Sequence, residues 1–471
     1  MFGNSSRVAG VFRSVPSNVA KTETATGWKG ITRYQWLVLL ICWLGWVFDI
    51  FDTALFNFAK GPMLTEMLGG PEAYKALGPQ TEGTIMMVFL VGWALGGLIF
   101  GILADRWGRT RTLIVTILIY SLFTGLTAYC TSIEQVTIVR FITALGLGGE
   151  WAAGAALVAE VFASGNRPLA AGLLQTAAAF GPALAAVANL QVPTGEWRTL
   201  FLIGVAPAIL VVLIRLVVKE PVKWSKSREQ YKGSWSAPLR ELFGVGRWRR
   251  AVIVATIIGA VGIAGAGNAS FWHPNLVEAA SKGLSPEVIQ QRKSEALFIF
   301  HIGTLLGVLV VPWLCALISR RAAMLAFFIG APLSIFAYTT LGGSYEALLW
   351  LGPVMAFFAI GVSGAFVLYF PELFPTRLRA TGAGFAYNVG RVLASPFPWL
   401  TGMLIGGMSG QVLYGFAGAA LIYVIGILAL PFAPETKGQP LPEDDGPKPT
   451  RSDDASQGVV VPAINLIRRG K

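Results

Sequence analysis

Residues 40–59 read LICWLGWVFDIFDTALFNFA, an almost unbroken run of apolar and aromatic side chains. A run of about 20 such residues is long enough to cross a bilayer as a helix. The run nevertheless contains Asp49 and Asp52, and a carboxylate at mid-bilayer costs at least about 2.5–3.5 kcal/mol on insertion scales. The stretch therefore predicts a membrane-spanning helix whose acidic groups serve a function.

The composition of the whole chain agrees with a membrane protein. Of its 471 residues, 54% are hydrophobic and 13% are charged, whereas soluble domains carry about 25% charged residues. A net charge of +12 would indicate a nucleic-acid partner only if the basic residues formed one patch on a soluble domain. The three cysteines are isolated in apolar runs, without the spacing of a metal site or a disulfide framework. We therefore expect neither a metal nor a cofactor.

Reading the chain for apolar runs long enough to span a bilayer predicts an all-α membrane protein with twelve transmembrane helices. The predicted spans are 34–57, 83–104, 112–130, 135–162, 169–190, 198–218, 250–276, 295–317, 322–341, 347–370, 381–405 and 411–432.

The distribution of basic residues predicts the orientation of these spans. With the N-terminus inside, 28 of the 37 Lys and Arg residues fall on the cytoplasmic side, counting Arg250 at the first position of the seventh span. Such an excess marks the cytoplasmic face of membrane proteins. We expect a multi-pass protein of the cell membrane with both termini in the cytoplasm and no nucleic-acid partner.

An internal repeat divides the twelve spans into two groups of six. An ungapped shift of 212 residues aligns Glu160 with Glu372 and Arg109 with Arg321, at equivalent loops. Paired halves of this kind indicate duplicated, pseudo-symmetric six-helix bundles. The predicted organisation is an N-terminal segment (1–33), a first bundle (34–218), a basic linker (219–249), a second bundle (250–432) and a disordered tail (433–471).

The loop after the second span, GILADRWGRTR at 101–111, resembles the signature loop of the major facilitator superfamily. The resemblance implies a latch that holds one of two alternating conformations. The expected latch residues are Gly101, Asp105, Arg106, Gly108 and Arg109, with Glu160, Glu372 and Arg377 as ion-pair partners at matching cytoplasmic ends. The alternative is that these arginines only follow the positive-inside rule.

Further stretches resemble the metabolite:proton symporters of that superfamily, which include sialic acid, monocarboxylate and aromatic acid carriers. They are RFITALGLGGEWAAGAALVAE (140–160), PELFPTRLRATGAGFAYNVGR (371–391) and FDIFDT (48–53). PETKG (434–438) and EPVKW (220–224) are similar to sugar-porter motifs. However, the seventh span lacks the paired glutamines of that family, which weakens a sugar assignment.

Three acidic residues inside the predicted spans are candidates for proton coupling. Asp49 and Asp52 lie at i and i+3, so they share one side of the first helix. Glu150 lies on the fourth span and is either a further proton site or a satisfied polar contact. Neighbouring, partly desolvated carboxyl groups favour proton uptake, which would suit an exchange of protons during transport.

Arg391 is the candidate for binding an anionic substrate, because arginine stays charged and its planar fork matches a carboxylate. Tyr387 and Asn388 lie beside it, and Arg140 is a second basic candidate. Two alternatives remain open at this point. Arg391 would be structural if it paired with an aspartate of the first helix, and Arg140 would be structural if it tied helices together.

These observations favour a transporter that moves a small carboxylate metabolite by proton symport and alternating access. The expected partners are the substrate, protons and the lipid bilayer, and a monomer is sufficient for such a cycle. A sugar or polyol facilitator of the same superfamily is the alternative. A membrane enzyme lacks support, since the chain has no G-x-S-x-G, H-E-x-x-H or P-loop motif.

Overall fold

The structure is a computed structural model that describes residues 31–162, 167–210, 237–407 and 420–439, together with residues 214, 418 and 442. Within these ranges all regular structure is helical. The helices are α1 (Arg33–Met67), α2 (Pro71–Trp107), α3 (Arg109–Thr127), α4 (Ile133–Val161), α5 (Arg167–Gln175), α6 (Ala177–Gln191), α7 (Trp197–Ile203), α8 (Ala237–Gly244), α9 (Gly246–Ala280), α10 (Pro286–Leu317), α11 (Arg320–Leu341), α12 (Tyr345–Ala359), α13 (Ser363–Glu372), α14 (Thr376–Ala394), α15 (Pro396–Gly407) and α16 (Ile422–Ala429), followed by a 3₁₀ turn at Leu430–Phe432.

The described helices follow the predicted spans. Eight helical segments are long and apolar enough to cross a membrane, and two shorter apolar segments cover Trp197–Leu210 and Ile422–Phe432. Three predicted spans are each formed by two successive helices, α5 with α6, α12 with α13, and α14 with α15. Most of the predicted N-terminal segment, the first part of the linker and nearly all of the tail lie outside the described residues.

The first two helices extend further than their apolar runs predict. Helix α1 continues to Met67 instead of residue 57, and α2 begins at Pro71 instead of residue 83. The added segments contain Lys60 and Glu82, two charged residues that interrupt the apolar pattern. Their side chains form an ion pair, with 3.0 Å between Nζ and Oε2, so both charges are accommodated inside a continuous helical pair.

The two halves pack in the same way. In the first half, α2 and α3 both lie against α4, while α1 lies against α6. The second half repeats this arrangement, since α10 and α11 both lie against α12, and α9 lies against α14. Glycines permit the close approach in each half: Gly96 packs on the carbonyl of Leu145, and Gly303 packs on the carbonyl of Pro353.

The halves meet at four seams among the described helices. At the first, α1 contacts α9; at the second, α2 contacts α14 and α15; at the third, α6 contacts α10; and at the fourth, α5 contacts α13. At the third seam, Asn189 Nδ2 donates to Ser294 Oγ at 2.8 Å, and Gln290 Nε2 donates to the carbonyl of Val192 at 2.8 Å. The candidate site residues lie on α1, α2, α4, α9 and α14, around the first two of these seams.

Candidate functional site

Asp52 and Arg140 form a buried ion pair within the first half. Arg140 Nη1 donates to Asp52 Oδ1 at 2.9 Å, and its Nη2 lies 2.8 Å from Oδ2. Thr124 Oγ1 on α3 also donates to Asp52 Oδ1. The pair and this third hydrogen bond therefore tie α1, α3 and α4 together.

Aromatic rings enclose the Arg140 guanidinium. Its Cζ lies 4.6 Å from the ring centre of Phe89, 5.1 Å from that of Phe56 and 5.9 Å from that of Phe201. Only 1% of Arg140 is exposed. A cation packed against ring faces and paired with a carboxylate has the surroundings of a structural residue.

Asp49 has very different surroundings, although it is one turn from Asp52. It is fully buried, and no amide, hydroxyl or basic group of the described residues donates a hydrogen bond to its carboxyl oxygens. The group within hydrogen-bonding distance of the Asp49 carboxyl is the carboxyl of Glu150. The neighbouring Glu150 is also buried, and its Oε2 likewise lacks a partner there. The Glu150 carboxyl packs against Gly45, one turn before Asp49, where a Cβ atom would overlap it. The structure thus brings two of the predicted acids together as an uncompensated pair.

Arg391 lies across the seam between the halves. Its Cζ is 4.5 Å from the ring centre of Trp93, on α2 of the first half, and 5.0 Å from that of Tyr387 on its own helix. Its Nη1 is 3.4 Å from Asn388 Oδ1, a long hydrogen bond. Among the described residues no carboxylate comes within 4.0 Å of the guanidinium.

The predicted substrate group is therefore assembled around one cation. Asn388 is held by a hydrogen bond from its Nδ2 to the carbonyl of Gly384 at 3.0 Å, and it packs against Gly97 of α2. Arg391 is close enough to Asp49 for the two charges to interact, although they do not form a direct pair. The cation of the second half thus faces the acids of the first half.

A second buried ion pair, which the sequence did not predict, closes one end of the seam between α1 and α9. Lys60 on α1 pairs with Glu82 on α2 at 3.0 Å, and the ammonium also donates to the carbonyl of Phe271 at 2.8 Å. The Phe271 ring centre is 3.4 Å from Nζ, and that of Trp272 is 4.7 Å away. One cation of the first half is thus covered by the backbone and rings of the second half.

Glu82 has further partners from both halves. Tyr74 at the start of α2 donates its hydroxyl to Oε1, and Asn275 of α9 donates Nδ2 to Oε2 at 3.2 Å. Removing either charge would leave the other buried and poorly paired, which is strongly destabilising. This network makes contact between the halves at this end depend on electrostatic pairing.

The predicted latch is only partly within the described structure. Gly108 has a φ of 112°, a conformation suited to glycine, and it joins α2 to α3 directly. Gly101 lies in the last part of α2, and Arg109 begins α3 as a buried residue. The side chains of Asp105, Arg106, Glu160 and Arg377 lie outside the described part of the structure.

Glu372, predicted as an ion-pair residue, pairs with Arg320 within the second half. Arg320 Nε donates to Oε2 at 3.0 Å and Nη2 to Oε1 at 2.8 Å. Thr436, which follows the last helix, donates to Oε2 as well. The segment after the last helix is therefore bound to the end of α13 and, through Glu372, to the start of α11.

Glu435 supplies an acid where the second copy of the latch loop has none. It accepts the backbone N–H groups of Arg320 and Arg321 at the start of α11, both at 3.1 Å. Burial opposes its ionisation, but backbone N–H donors, including that of Lys437, outweigh this effect and hold the pKa of Glu435 below its usual value. A helix N-terminus favours an anion at this position.

Four residues that contribute to the site were missed by sequence reasoning, for two different reasons. Trp93 and Thr124 belong to ordinary apolar spans, and nothing in their spacing indicates contact with a distant charge. Lys60 and Glu82 were visible as charges beside apolar runs, and the apolar pattern that continues past Lys60 was the signal for a longer helix.

The sequence of the chain has extensive relatives. Residues 42–398 match the family model of the Major Facilitator Superfamily. A probable 4-methylmuconolactone transporter of Cupriavidus pinatubonensis is 31% identical over 410 residues, covering 84% of this chain and 90% of that protein. A cis,cis-muconate transport protein of Acinetobacter baylyi is 27% identical over 428 residues, covering 88% of this chain and 96% of that protein.

Solved structures resemble the fold. The xylose transporter XylE from E. coli, in a partially occluded inward-open conformation, matches with a TM-score of 0.66 at 17% identity, over 87% of this chain and 100% of that one. This likeness concerns the fold alone. The predicted twelve-helix, two-bundle architecture and the resemblance to metabolite carriers are confirmed by these findings. The chain is a multi-pass membrane transporter, not an enzyme, and it belongs to the Major Facilitator Superfamily.

Proposed function

We propose that this transporter carries a small organic anion together with a proton, by exposing a central site alternately to the two sides of the membrane. The observation that carries this proposal is the placement of Arg391. It is a buried guanidinium without a carboxylate partner among the described residues, facing a pair of buried acids that also lack partners. A substrate carboxylate would complete this arrangement.

The same arrangement supplies a reason for proton coupling. Asp49 and Glu150 are neighbouring buried carboxyl groups, and holding both ionised without partners is costly. A proton on one of them relieves this cost. A substrate anion at Arg391 adds another negative charge across the seam, which favours proton retention while the substrate is bound. Asp52 does not exchange the proton in this scheme, because its charge is already balanced by Arg140. Its part is to hold α1 against α4 through that ion pair.

Relatives support an organic anion over a sugar. The names of two relatives refer to muconate and methylmuconolactone, a dicarboxylate and the lactone of a carboxylic acid. A neutral sugar would leave Arg391 without a counter-charge. The positive-inside count favours cytoplasmic termini in the cell membrane, and a monomer contains both halves that the cycle requires.

The seam at Lys60 provides the closure that alternating access needs at one end. While Lys60 contacts Phe271, α1 and α9 are held together there, and substrate enters or leaves at the other end. Separation of the halves would expose the Lys60–Glu82 pair to water, which lowers the cost of losing the contacts to α9.

Ligand binding to the purified protein tests the substrate class. The panel is benzoate, cis,cis-muconate, sialic acid, xylose and a polyol, measured by titration calorimetry and by thermal shift. We expect at least one anion and neither neutral compound to bind, and Arg391→Gln to weaken the anion at least tenfold. Arg391→Lys should recover only part of this loss, since lysine lacks the planar fork.

The matched control is Arg198→Gln, which removes an exposed arginine paired with Glu66 at 2.7 Å. This variant should bind the anion like the wild type. Xylose or polyol binding that is indifferent to Arg391→Gln, in a protein that binds no anion, would contradict the proposal and favour the sugar facilitator.

A further inference from the structure

Two buried asparagines at the seam between the halves each retain an unused hydrogen-bonding atom. Asn57 lies on α1 and Asn268 on α9, and they are 4% and 3% exposed. Within the described residues, Asn57 Oδ1 and Asn268 Nδ2 have no hydrogen-bond partner. Buried amide atoms are rarely left in this state unless a ligand or water completes them.

The two side chains stand at the same level of the molecule. Asn57 precedes Lys60 by three residues, and Asn268 precedes Phe271 by three, so each lies on the helix face that makes the Lys60–Phe271 contact. Helices α1 and α9 are the first and seventh of twelve spans and therefore run in the same direction. Both asparagines consequently lie one turn nearer the middle of the bundle than the closed end of the seam.

The unused atoms are complementary. Asn268 Oδ1 accepts a hydrogen bond from Thr401 Oγ1 on α15 at 3.1 Å, which orients the amide and leaves Nδ2 as the free donor. Asn57 offers Oδ1 as an acceptor. A free donor and a free acceptor at the same level of one seam suit a hydroxyl group, which both accepts and donates a hydrogen bond.

The distance along α1 between the asparagines and Asp49 indicates how far such a hydroxyl group is from the carboxylate of the substrate. Asn57 follows Asp49 by eight residues, a rise of about 12 Å along an ideal helix. The carboxylate site around Arg391 and Asp49 and the asparagine pair thus lie at two different depths of the same seam. A ligand that occupies both has its hydroxyl at the end opposite the carboxylate.

We propose that Asn57 and Asn268 form a second substrate subsite, which binds the distal hydroxyl group of an organic anion whose carboxylate contacts Arg391. This inference rests on the proposed function and narrows it to hydroxylated acids.

Matched pairs of acids test the subsite in the full-length protein. The pairs are benzoate with 4-hydroxybenzoate and hexanoate with 6-hydroxyhexanoate, with affinities measured by titration calorimetry. The wild type should bind the hydroxylated member of at least one pair about tenfold more tightly, as expected for one good buried hydrogen bond. Asn57→Leu and Asn268→Leu should reduce this preference to below about threefold, with the affinity for the unsubstituted acid preserved.

Two further variants separate recognition from folding. Thr401→Val is nearly isosteric and removes the bond that orients Asn268, so it should lower the preference while the protein remains folded. Asn189→Ala alters a buried asparagine at another seam, whose amide already bonds Ser294, and should leave the preference unchanged.

The outcomes distinguish the two proposals. Arg391-dependent binding of anions without a hydroxyl preference, or a preference that survives both asparagine substitutions, overturns the subsite and leaves the proposed function standing. Absence of binding by every anion in both pairs and in the earlier panel overturns both.

Discussion

Asp49 and Asp52 show how two identical side chains on one helix acquire different surroundings. Asp52 meets Arg140 and Thr124, so its charge is balanced inside the first half. Asp49 has no such partner in the described structure and lies beside Glu150. The three-residue spacing placed both acids on one side of α1, and the sequence offered Arg140 or Arg391 as possible counter-charges for them. It did not indicate that Arg140 pairs with Asp52 and not with Asp49.

Replacing each aspartate by asparagine should separate these roles. Asp52→Asn leaves the buried Arg140 without its counter-charge, and breaking such a pair costs about 3–5 kcal/mol. Asp49→Asn removes a buried group that lacks partners and should change the free energy of unfolding little, or raise it. The measurement is thermal and denaturant unfolding of both variants in detergent at neutral pH, without ligand.

The conservative variant Arg140→Lys provides a check on this prediction. It keeps the charge and loses the two-point contact with Asp52, so it should be less destabilising than Asp52→Asn. Equal stability losses for the two aspartate variants would contradict the assignment of Asp52 to a structural pair.

At the scale of helices, the sequence predicted the number and order of spans, but several helices extend beyond the predicted ends, most of all α1, α2 and α10. An apolar run identifies the part of a helix that is buried in lipid or in the protein interior. A charged residue ordinarily marks the edge of that part. Helices α1 and α2 continue past Lys60 and Glu82 because these residues neutralise one another. An ion pair between two helices cannot be recognised from the residue pattern of either helix alone.

The Lys60–Glu82 pair should control the separation of the halves at its end of the molecule. Lys60→Met leaves Glu82 buried with only the hydroxyl of Tyr74 and the amide of Asn275, and removes the contact with Phe271. We expect a larger population in which α1 and α9 are apart. Lys75 and Lys282 are both exposed and can be replaced by cysteine for spin labelling. Double electron–electron resonance should then give a longer distance between the two labels in Lys60→Met.

The labelled background requires replacement of the three buried native cysteines, Cys42, Cys130 and Cys315, by alanine. Arg198→Gln in the same background serves as the control and should leave the distances unchanged. The double variant Lys60→Met with Glu82→Gln should lie closer to the wild type than Lys60→Met alone, since no unpaired charge remains. A distance distribution that is the same in all variants would show that the network does not hold this end closed.

Glu435 links the segment after the last helix to the start of α11, and its effect should depend on pH. Its folded-state pKa is below the ordinary value of 4.5, so the carboxylate stabilises the fold fully above that value. This stabilisation is lost as the pH falls through the lower, folded-state pKa. Glu435→Gln should therefore lower stability by about 0.3–1 kcal/mol at pH 7, with a smaller difference near pH 3.5.

Melting temperatures of wild type and Glu435→Gln across this range provide the measurement. Glu346→Gln, at the start of α12, is an exposed carboxylate at another helix N-terminus and serves as a reference for a general charge effect. A Glu435→Gln deficit that grows on acidification would contradict the sign of the effect.

For the whole molecule, the fold of each half is easier to predict from the sequence than the contacts between the halves. Composition, span count, the internal repeat and the loop GILADRWGRTR together predicted the fold and the superfamily. The contacts between halves depend on pairs such as Lys60 with Phe271 and Arg391 with Trp93, whose members are roughly 200 to 300 residues apart. These contacts carry the proposed transport cycle, because alternating access makes and breaks them.

Proton movement during substrate uptake tests the central claim most directly. Proteoliposomes with a pH indicator outside would receive, in turn, the anions that bind the purified protein, with empty vesicles and Asp49→Asn as controls. The account predicts alkalinisation outside on addition of an anion by wild type, and little or none by Asp49→Asn, which still binds the anion. Anion uptake without proton movement, or equal alkalinisation by Asp49→Asn, would contradict coupling through the acids of the first helix.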